Sequence, residues 1–327
     1  MPIRIISAAQ VSQLLPMADC VDVMAAAMKA SSRGEVGLPP RTFMPLTDQS
    51  GFLGLMPGSS EALASYGAKL ISLHPGNPSR GLPAIQGFVA LFDHASGEPV
   101  AIVEGAALTG LRTAAASGLA TRLLAREDAH TCGLFGTGVQ AVTHIDAMLA
   151  VRDIDEFRIC GRSPEGTAAF ARAQTERTGV TCQAVDDPAE AGACDIVCTV
   201  TASPEPVLKG DWVAPGAHVN LVGAHTLSTR EADSDVIAGA GLYVDLLASC
   251  HNEGGDFMIP VQEGVISEAA ILGEIGQLLD GSIAGRQGRE QVTVYNSLGI
   301  TTQDLFAARA VFDRAVECGV GAVVDLA

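Results

Sequence analysis

The sequence predicts an α/β chain of two domains, one of them built on a doubly wound parallel sheet. Three observations carry that prediction. A glycine-punctuated turn, Cys132 to Ala141, stands between an apolar run and an amphipathic helix. After it, short apolar strands alternate with helical patterns, the arrangement that gives parallel sheets with crossing helices. Before it, alternating segments punctuated by Pro-Gly pairs read as strands of a separate sheet.

Length and composition agree with this reading and narrow the function classes. The 327 residues suffice for about two domains, and 48% hydrophobic against 17% charged residues excludes a disordered chain. The net charge of -17 excludes a nucleic-acid surface, because phosphates would be repelled at every approach. An anionic cofactor must then be captured by local positive charge. Met1 to Ser7 lacks a long apolar core, and no uninterrupted apolar stretch of about 18 residues follows, so a cytoplasmic protein with no membrane partner is expected. The eight cysteines include no CxxC pair. Cys194 and Cys198 could suggest a metal, but they belong to an expected buried strand, Asp195 to Val200, that splays them along its length, so no metal site is expected.

In chain order, Val11 to Arg33 is predicted as an amphipathic helix with Val21, Met24, Ala25 and Met28 on one face. Leu38 to Arg41 ends it. Strands are expected at Phe52 to Met56, Ala68 to Leu73 and Ile85 to Phe92, with turns at Pro57-Gly58 and Pro75-Gly76. The spacing of Leu108, Leu111, Ala115, Leu119 and Leu123 marks a helix leading into the second domain. There the expected strands are Glu156 to Cys160, Asp195 to Val200, His218 to Val222, Gly241 to Asp245 and Gln291 to Tyr295. Ser163 to Thr178 and Glu268 to Leu279 should supply crossing helices, and Gln303 to Glu317 a final amphipathic helix.

The turn itself points to a dinucleotide. Gly136 can take the tight turn out of a strand, Gly138 lets the main chain approach phosphates with no Cβ in the way, and Ala141 allows close helix packing. Val139, Val142, Ile145, Met148 and Leu149 follow at helical spacing, so free amides of the first helical turn face the pyrophosphate. A strand before and a helix after distinguish this from a simple turn, and make the domain Rossmann-type. At the end of the next strand, where an NAD site normally carries Asp or Glu, the chain reads Gly161-Arg162-Ser163. A guanidinium and a hydroxyl there favour the 2′-phosphate of NADPH, with NADH the alternative; a solvated loop arginine is the other reading of Arg162.

Four basic residues stand in apolar or glycine-rich settings upstream: Arg41, Lys69, Arg80 and Arg112. Lys69 is the clearest case, since Leu70, Ile71 and Leu73 should press its strand toward an interior. Burying an ammonium costs on the order of several kcal/mol unless an anion pairs with it. The partner is either a substrate carboxylate or an Asp or Glu of the protein.

The segments that hold these residues resemble the ornithine cyclodeaminase and mu-crystallin family. They are Pro40-Arg41, Gly67-Ala68-Lys69-Leu70-Ile71, His74-Pro75-Gly76-Asn77, Gly81 to Gly87, Glu98 to Ala101, Leu108 to Ala115 and Gly133 to Ala141, in that order. The resemblance spans nearly the whole chain and is densest from Gly67 to Ala141. It implies a homodimer with a Rossmann dinucleotide-binding domain, 123–301, and a discontinuous α+β substrate-binding and dimerisation domain, 1–122 with 302–327. Carried onto matching positions, it implies that Arg41, Met56, Lys69 and Arg112 bind substrate, with Lys69 beside the reacting carbon and nitrogen. It further implies cofactor contacts from Thr113, Val139, Gln140, Thr199, the Val219 to Val222 stretch, and Ser297 at the nicotinamide end.

One departure bears on the reaction. Cyclodeaminases of this family carry an Asp shortly after the fourth strand of the nucleotide domain, whereas this chain reads Asn220-Leu221-Val222-Gly223-Ala224-His225. An imidazole titrates near pH 6.5 and can both donate and accept a proton, which suits protonation of a reduced C=N nitrogen better than ornithine cyclisation. His225 is otherwise a surface loop residue, and His74 is read as part of a turn. The resemblance thus implies an NAD(P)H-dependent reductase of a cyclic imino acid, Δ1-pyrroline-2-carboxylate giving L-proline, or the six-membered piperideine analogue giving L-pipecolate. The alternatives are an ornithine cyclodeaminase or alanine dehydrogenase on the same scaffold, and a crystallin-like NADPH-binding protein without turnover.

Overall fold

The computed structural model describes residues 2–325, and the chain divides into two compact units, Met1–Arg112 with Ile300–Ala327 and Thr113–Gly299. Strand β1 (Pro2–Ile6) is followed by helices α1 (Ala8–Leu14) and α2 (Met17–Ser32). The single helix expected over Val11 to Arg33 is therefore two, bent by 85°. Pro16 is the cause: proline disfavours helical geometry in the residue before it, and Leu15 accordingly leaves the helix at φ -130, ψ 83.

The strands that follow are β2 (Val36–Gly37), β3 (Thr42–Pro45), β4 (Phe52–Ser60), β5 (Ser65–Leu73), β6 (Ile85–Asp93) and β7 (Pro99–Glu104). Pro57-Gly58 is not the expected turn; both residues lie inside β4, paired with Ala68 and Gly67 of β5. On the other edge β3 pairs with Phe52 to Leu55 and β2 with Ser59 and Ser60, so Pro57 occupies the gap that neither strand fills. A residue without an N–H is tolerated there.

Helix α3 (Gly105–Leu124) crosses the division between the units at Arg112/Thr113. The second unit then alternates strands and helices: β8 (Thr131–Phe135), α4 (Val139–Val151), β9 (Glu156–Cys160), α5 (Pro164–Thr178), β10 (Thr181–Ala184), α6 (Pro188–Gly192), β11 (Ile196–Thr199) and β12 (His218–Leu221). It continues with α7 (Ser234–Ala238), β13 (Gly241–Val244), α8 (Leu247–Glu253), α9 (Gly255–Gln262), β14 (Ile271–Glu274), α10 (Ile275–Leu279) and β15 (Thr293–Asn296). The helix expected over Glu268 to Leu279 is replaced by a 3-10 turn, β14 and short α10. Gly273, at φ +154, breaks the helical course, and the segment pairs with β13 as an edge strand instead. All strands of this sheet are parallel, in the order β10-β9-β8-β11-β12-β15-β13-β14. Strand order reverses between β8 and β11, so the crevice beyond their carboxyl ends is where such sheets bind ligands.

The chain returns to the first unit with α11 (Thr301–Glu317) and β16 (Ala322–Asp325). Its sheet runs β16-β1-β7-β6-β5-β4-β2, with β3 also on β4. Helix α11 packs on α2 and over β4 and β5. Gly58 and Gly67 admit it: a Cβ on Gly58 would lie 3.1 Å from both Leu305 Cδ1 and Thr301 Cγ2. The opposite face of this sheet leaves Leu53, Leu55 and Phe88 exposed. Among the described residues no single helix is long and apolar enough to cross a membrane.

Candidate active site

The first group of candidate residues lies in the first unit. Lys69 is at the centre of β5, flanked across the strands by Met56 of β4 and Val89 of β6, both buried, and is itself only 3% exposed. Its ammonium meets Asp304, in the first turn of α11, at 2.8 Å from Oδ2. The other oxygen of Asp304 accepts from Arg112 Nε at 2.9 Å, and Arg112 Nη1 donates to Gln303 Oε1 at 2.7 Å. Of the two partners left open for Lys69, the structure supplies the protein carboxylate.

Electrostatics follow from this packing. Burial lowers the Lys69 pKa to about 8; Asp304 opposes the shift, while the positive charges of Arg112 and Arg41 add to it. Burial pushes the Asp304 carboxyl up, but Arg112 and Lys69 outweigh it, and its pKa is net lowered. Arg41, just before β3, is thus within electrostatic reach of Lys69. Arg80 is exposed on a 3-10 turn at Asn77–Arg80.

The second group lies in the second unit. Gly136 has φ +117, and its amide donates to Cys160 O at 2.9 Å; a Cβ there would come 3.0 Å from Val200 O. Gly138 caps α4, and a Cβ on it would meet nothing within 4 Å. Val139, the first residue of α4, is 73% exposed although it is apolar, and Gln140 Oε1 is buried without a hydrogen-bond partner. Bare backbone at a helix N-terminus, an exposed valine and an unpaired amide oxygen suit a dinucleotide lying over this turn. Arg162 is exposed. The Ser163 hydroxyl caps α5 by accepting from Gly166 N at 3.2 Å.

Beyond β11 and β12 the loops are tied by one residue to which the sequence reading gave no site role. Buried Glu231 accepts from Thr199 Oγ1 (2.8 Å) and Gly223 N (2.5 Å) on one oxygen, and from Thr201 N and Oγ1 (both 2.6 Å) on the other. Thr199 is therefore buried and held at this junction, and Val222 N donates to Thr199 O at 3.1 Å. His225 is exposed, with Nδ1 3.1 Å from Gly223 O. Asp256 lies beneath, accepting from Glu231 N and Ala232 N through Oδ1, while its buried Oδ2 has no hydrogen-bond partner. Burial raises the Asp256 pKa to about 7, the nearby Glu231 charge adding to the shift, and burial raises Glu231 as well. Ser297, after β15, is buried with an unpartnered hydroxyl, and Thr113 is buried in α3.

The match to known proteins decides the family. The ornithine cyclodeaminase/mu-crystallin family model matches residues 3–319. The chain belongs to that family. It is 35% identical over 323 residues to a Delta(1)-pyrroline-2-carboxylate reductase of Bacillus cereus, covering 98% of this chain and 99% of that one. The Thermococcus litoralis Delta(1)-pyrroline-2-carboxylate reductase, solved with NADH and L-proline, superposes with a TM-score of 0.94 at 33% identity, over 98% of this chain and 99% of that one. An archaeal alanine dehydrogenase dimer with bound NAD gives a TM-score of 0.93 at 29% identity, over the full length of both chains.

The residues to which sequence reasoning gave no site role, Asp304, Gln303, Glu231 and Asp256, are all buried polar groups. Asp304 had a readable signal: a carboxylate between Ile300 and Leu305 on a helix that is apolar on that side.

Proposed function

We propose that this protein is an NADPH-preferring reductase of a cyclic imino acid, converting Δ1-pyrroline-2-carboxylate to L-proline, with reduction of the piperideine analogue to L-pipecolate the alternative and NADH the alternative cofactor. What supports the reading most is the full-length likeness to pyrroline-2-carboxylate reductases together with a buried lysine of lowered pKa. The nicotinamide, when bound, supplies a hydride for the imine carbon. Arg112 and Arg41 hold the ring carboxylate, and Met56 packs beside it. Lys69 Nζ gives a proton to the ring nitrogen. With its pKa near 8, this ammonium is a stronger acid than an exposed lysine yet still charged at neutral pH. His225, exposed and with Nδ1 3.1 Å from Gly223 O, is the second acid–base group of this reading.

Gly136, Gly138, Val139, Gln140 and Thr113 border the pyrophosphate. Thr199, Val222 and Ser297 line the nicotinamide end, and Arg162 with Ser163 favours the 2′-phosphate. A histidine where cyclodeaminases of this family carry an aspartate argues against ornithine cyclisation. The exposed apolar sheet face that includes Leu53, Leu55 and Phe88 supports a homodimer through the first unit.

The test is direct. Purified protein mixed with NADPH and Δ1-pyrroline-2-carboxylate should deplete the nicotinamide absorbance and yield L-proline. No depletion across neutral pH rejects the assignment, and ammonia release from ornithine would replace it with cyclodeamination.

A further inference from the structure

Two cations share one buried carboxylate in the first unit, and the role proposed above for Lys69 leaves that carboxylate without a stated function. We propose that Asp304 is a positioning residue for imine reduction: its two oxygens fix the Lys69 ammonium and the Arg112 guanidinium at one spacing and orientation. The inference rests on the reductase reading and deepens it.

The geometry carries the argument. Lys69 Nζ stands 2.8 Å from one oxygen and Arg112 Nε 2.9 Å from the other, so neither buried cation can swing without breaking a charged contact. Gln303 braces the guanidinium from the preceding residue of the same helix turn, through Arg112 Nη1 at 2.7 Å. Arg112 Nη2 takes no part in either contact and is the edge left for a substrate carboxylate. The walls beside Lys69, Met56 and Val89, offer no polar atom in their side chains to replace Asp304.

Charge balance gives the second half. The charged groups that act on Lys69 are Asp304 of α11, Arg112 of α3 and Arg41 before β3. Cys20 of α2, on which Arg112 also acts, has its thiol pushed up to about 12 by burial and stays neutral. Asp304 is thus the negative charge that opposes two guanidinium groups and burial, all of which drive the proton off Lys69. Without it, the proton meant for the ring nitrogen leaves at lower pH.

The experiment reads the charge on Lys69 with and without turnover. Calorimetric binding of pyrrole-2-carboxylate to the NADPH-loaded protein, from neutral to alkaline pH, should weaken above about pH 8 in the wild type as Lys69 loses its proton. In Asp304→Asn the same break should move to lower pH by about one unit or more, making binding on the order of tenfold weaker near pH 8. The descending limb of kcat/KM for pyrroline reduction should move with it. Asp304→Glu keeps the charge but displaces it, so the break should return close to the wild-type pH while KM rises severalfold; this variant decides the matter if the asparagine protein does not fold.

An Asp304→Asn protein that is merely less heat-stable, with an unmoved break, overturns the inference. So does an Asp304→Glu protein with wild-type KM. A wild-type protein that binds no ring carboxylate at all overturns the reductase reading and this inference together, whereas wild-type binding with an unmoved break in the variant removes this inference alone.

Discussion

Met56 stands directly across from Lys69 in the antiparallel pairing of β4 and β5, and at 4% exposure it presents a thioether and methylenes where a surface lysine would meet water. That neighbour helps set the acidity of the ammonium. If Lys69 is the proton donor proposed above, the rate of reduction should hold through neutral pH and fall above about pH 8, because burial lowers the Lys69 pKa to about 8. Met56→Ser, which admits water, should move the limb upward by on the order of half a pH unit. Lys69→Met should remove reduction and leave NADPH affinity within about twofold. A pH–rate profile of the three proteins checks this, and full activity in Lys69→Met would end the lysine's role.

The two glycines of the nucleotide turn should separate when each is changed to alanine. At Gly136 the positive φ and the approach of Val200 O make a methyl group strained, so Gly136→Ala should cost about 1–2 kcal/mol of stability. Around Gly138 the protein leaves open space, so Gly138→Ala should change stability by less than about 0.5 kcal/mol and weaken NADPH binding instead. Urea unfolding and cofactor titration of both variants suffice. Equal NADPH affinity for Gly138→Ala and wild type would take the phosphates away from this turn.

Asp256 gives stability a pH dependence of predictable sign. Its folded pKa, about 7, lies above the ordinary carboxylate value of 3.8, so the folded state holds a proton that the unfolded state has released. The resulting stabilisation is complete below about pH 4 and is lost as pH rises through about 7. Glu231, shifted the same way, adds to the trend. Asp256→Asn keeps an oxygen for the two amides that Oδ1 serves and should flatten the loss, gaining on the order of a few kcal/mol relative to wild type above neutral pH. Urea midpoints for both proteins from acid to alkaline pH test it; a difference that does not grow with pH would count against it.

The proposed preference for NADPH rests on the end of β9, where Arg162 follows the strand. Arg162→Asp should lower the NADPH-to-NADH preference in kcat/KM by about tenfold or more, since a carboxylate repels a 2′-phosphate and accepts bonds from a ribose hydroxyl. An unchanged ratio removes the reason for naming NADPH.

Local rules made much of the second unit legible. The turn at Gly136 and Gly138, the strand at Glu156 to Cys160 and the alternation of β8 to β12 follow from glycine geometry and short-range periodicity. What escaped was set by partners distant along the chain. Pro57-Gly58 reads locally as a turn, and only the strand gap beside it and the helix seated on Gly58 explain its extended form. Glu268 to Leu279 has helical spacing, yet the free edge of β13 and the backbone of Gly273 draw its Ile271–Glu274 part into a strand. At the site, Lys69 and Arg112 were visible as cations in apolar settings. Asp304 stood out only as a carboxylate in an apolar setting, and its meaning lies in a pairing with Arg112 across 192 residues.

That separation has a consequence on the ribosome. The nucleotide-binding unit is one continuous stretch, Thr113–Gly299, and emerges whole before the tunnel releases the helix that carries Asp304. Until then the nascent amino-terminal sheet lacks the helix that covers β4 and β5, and its central lysine has no counterion. A chain cut short before Ile300 would keep the glycine turn and lack Asp304, the carboxylate that meets Lys69.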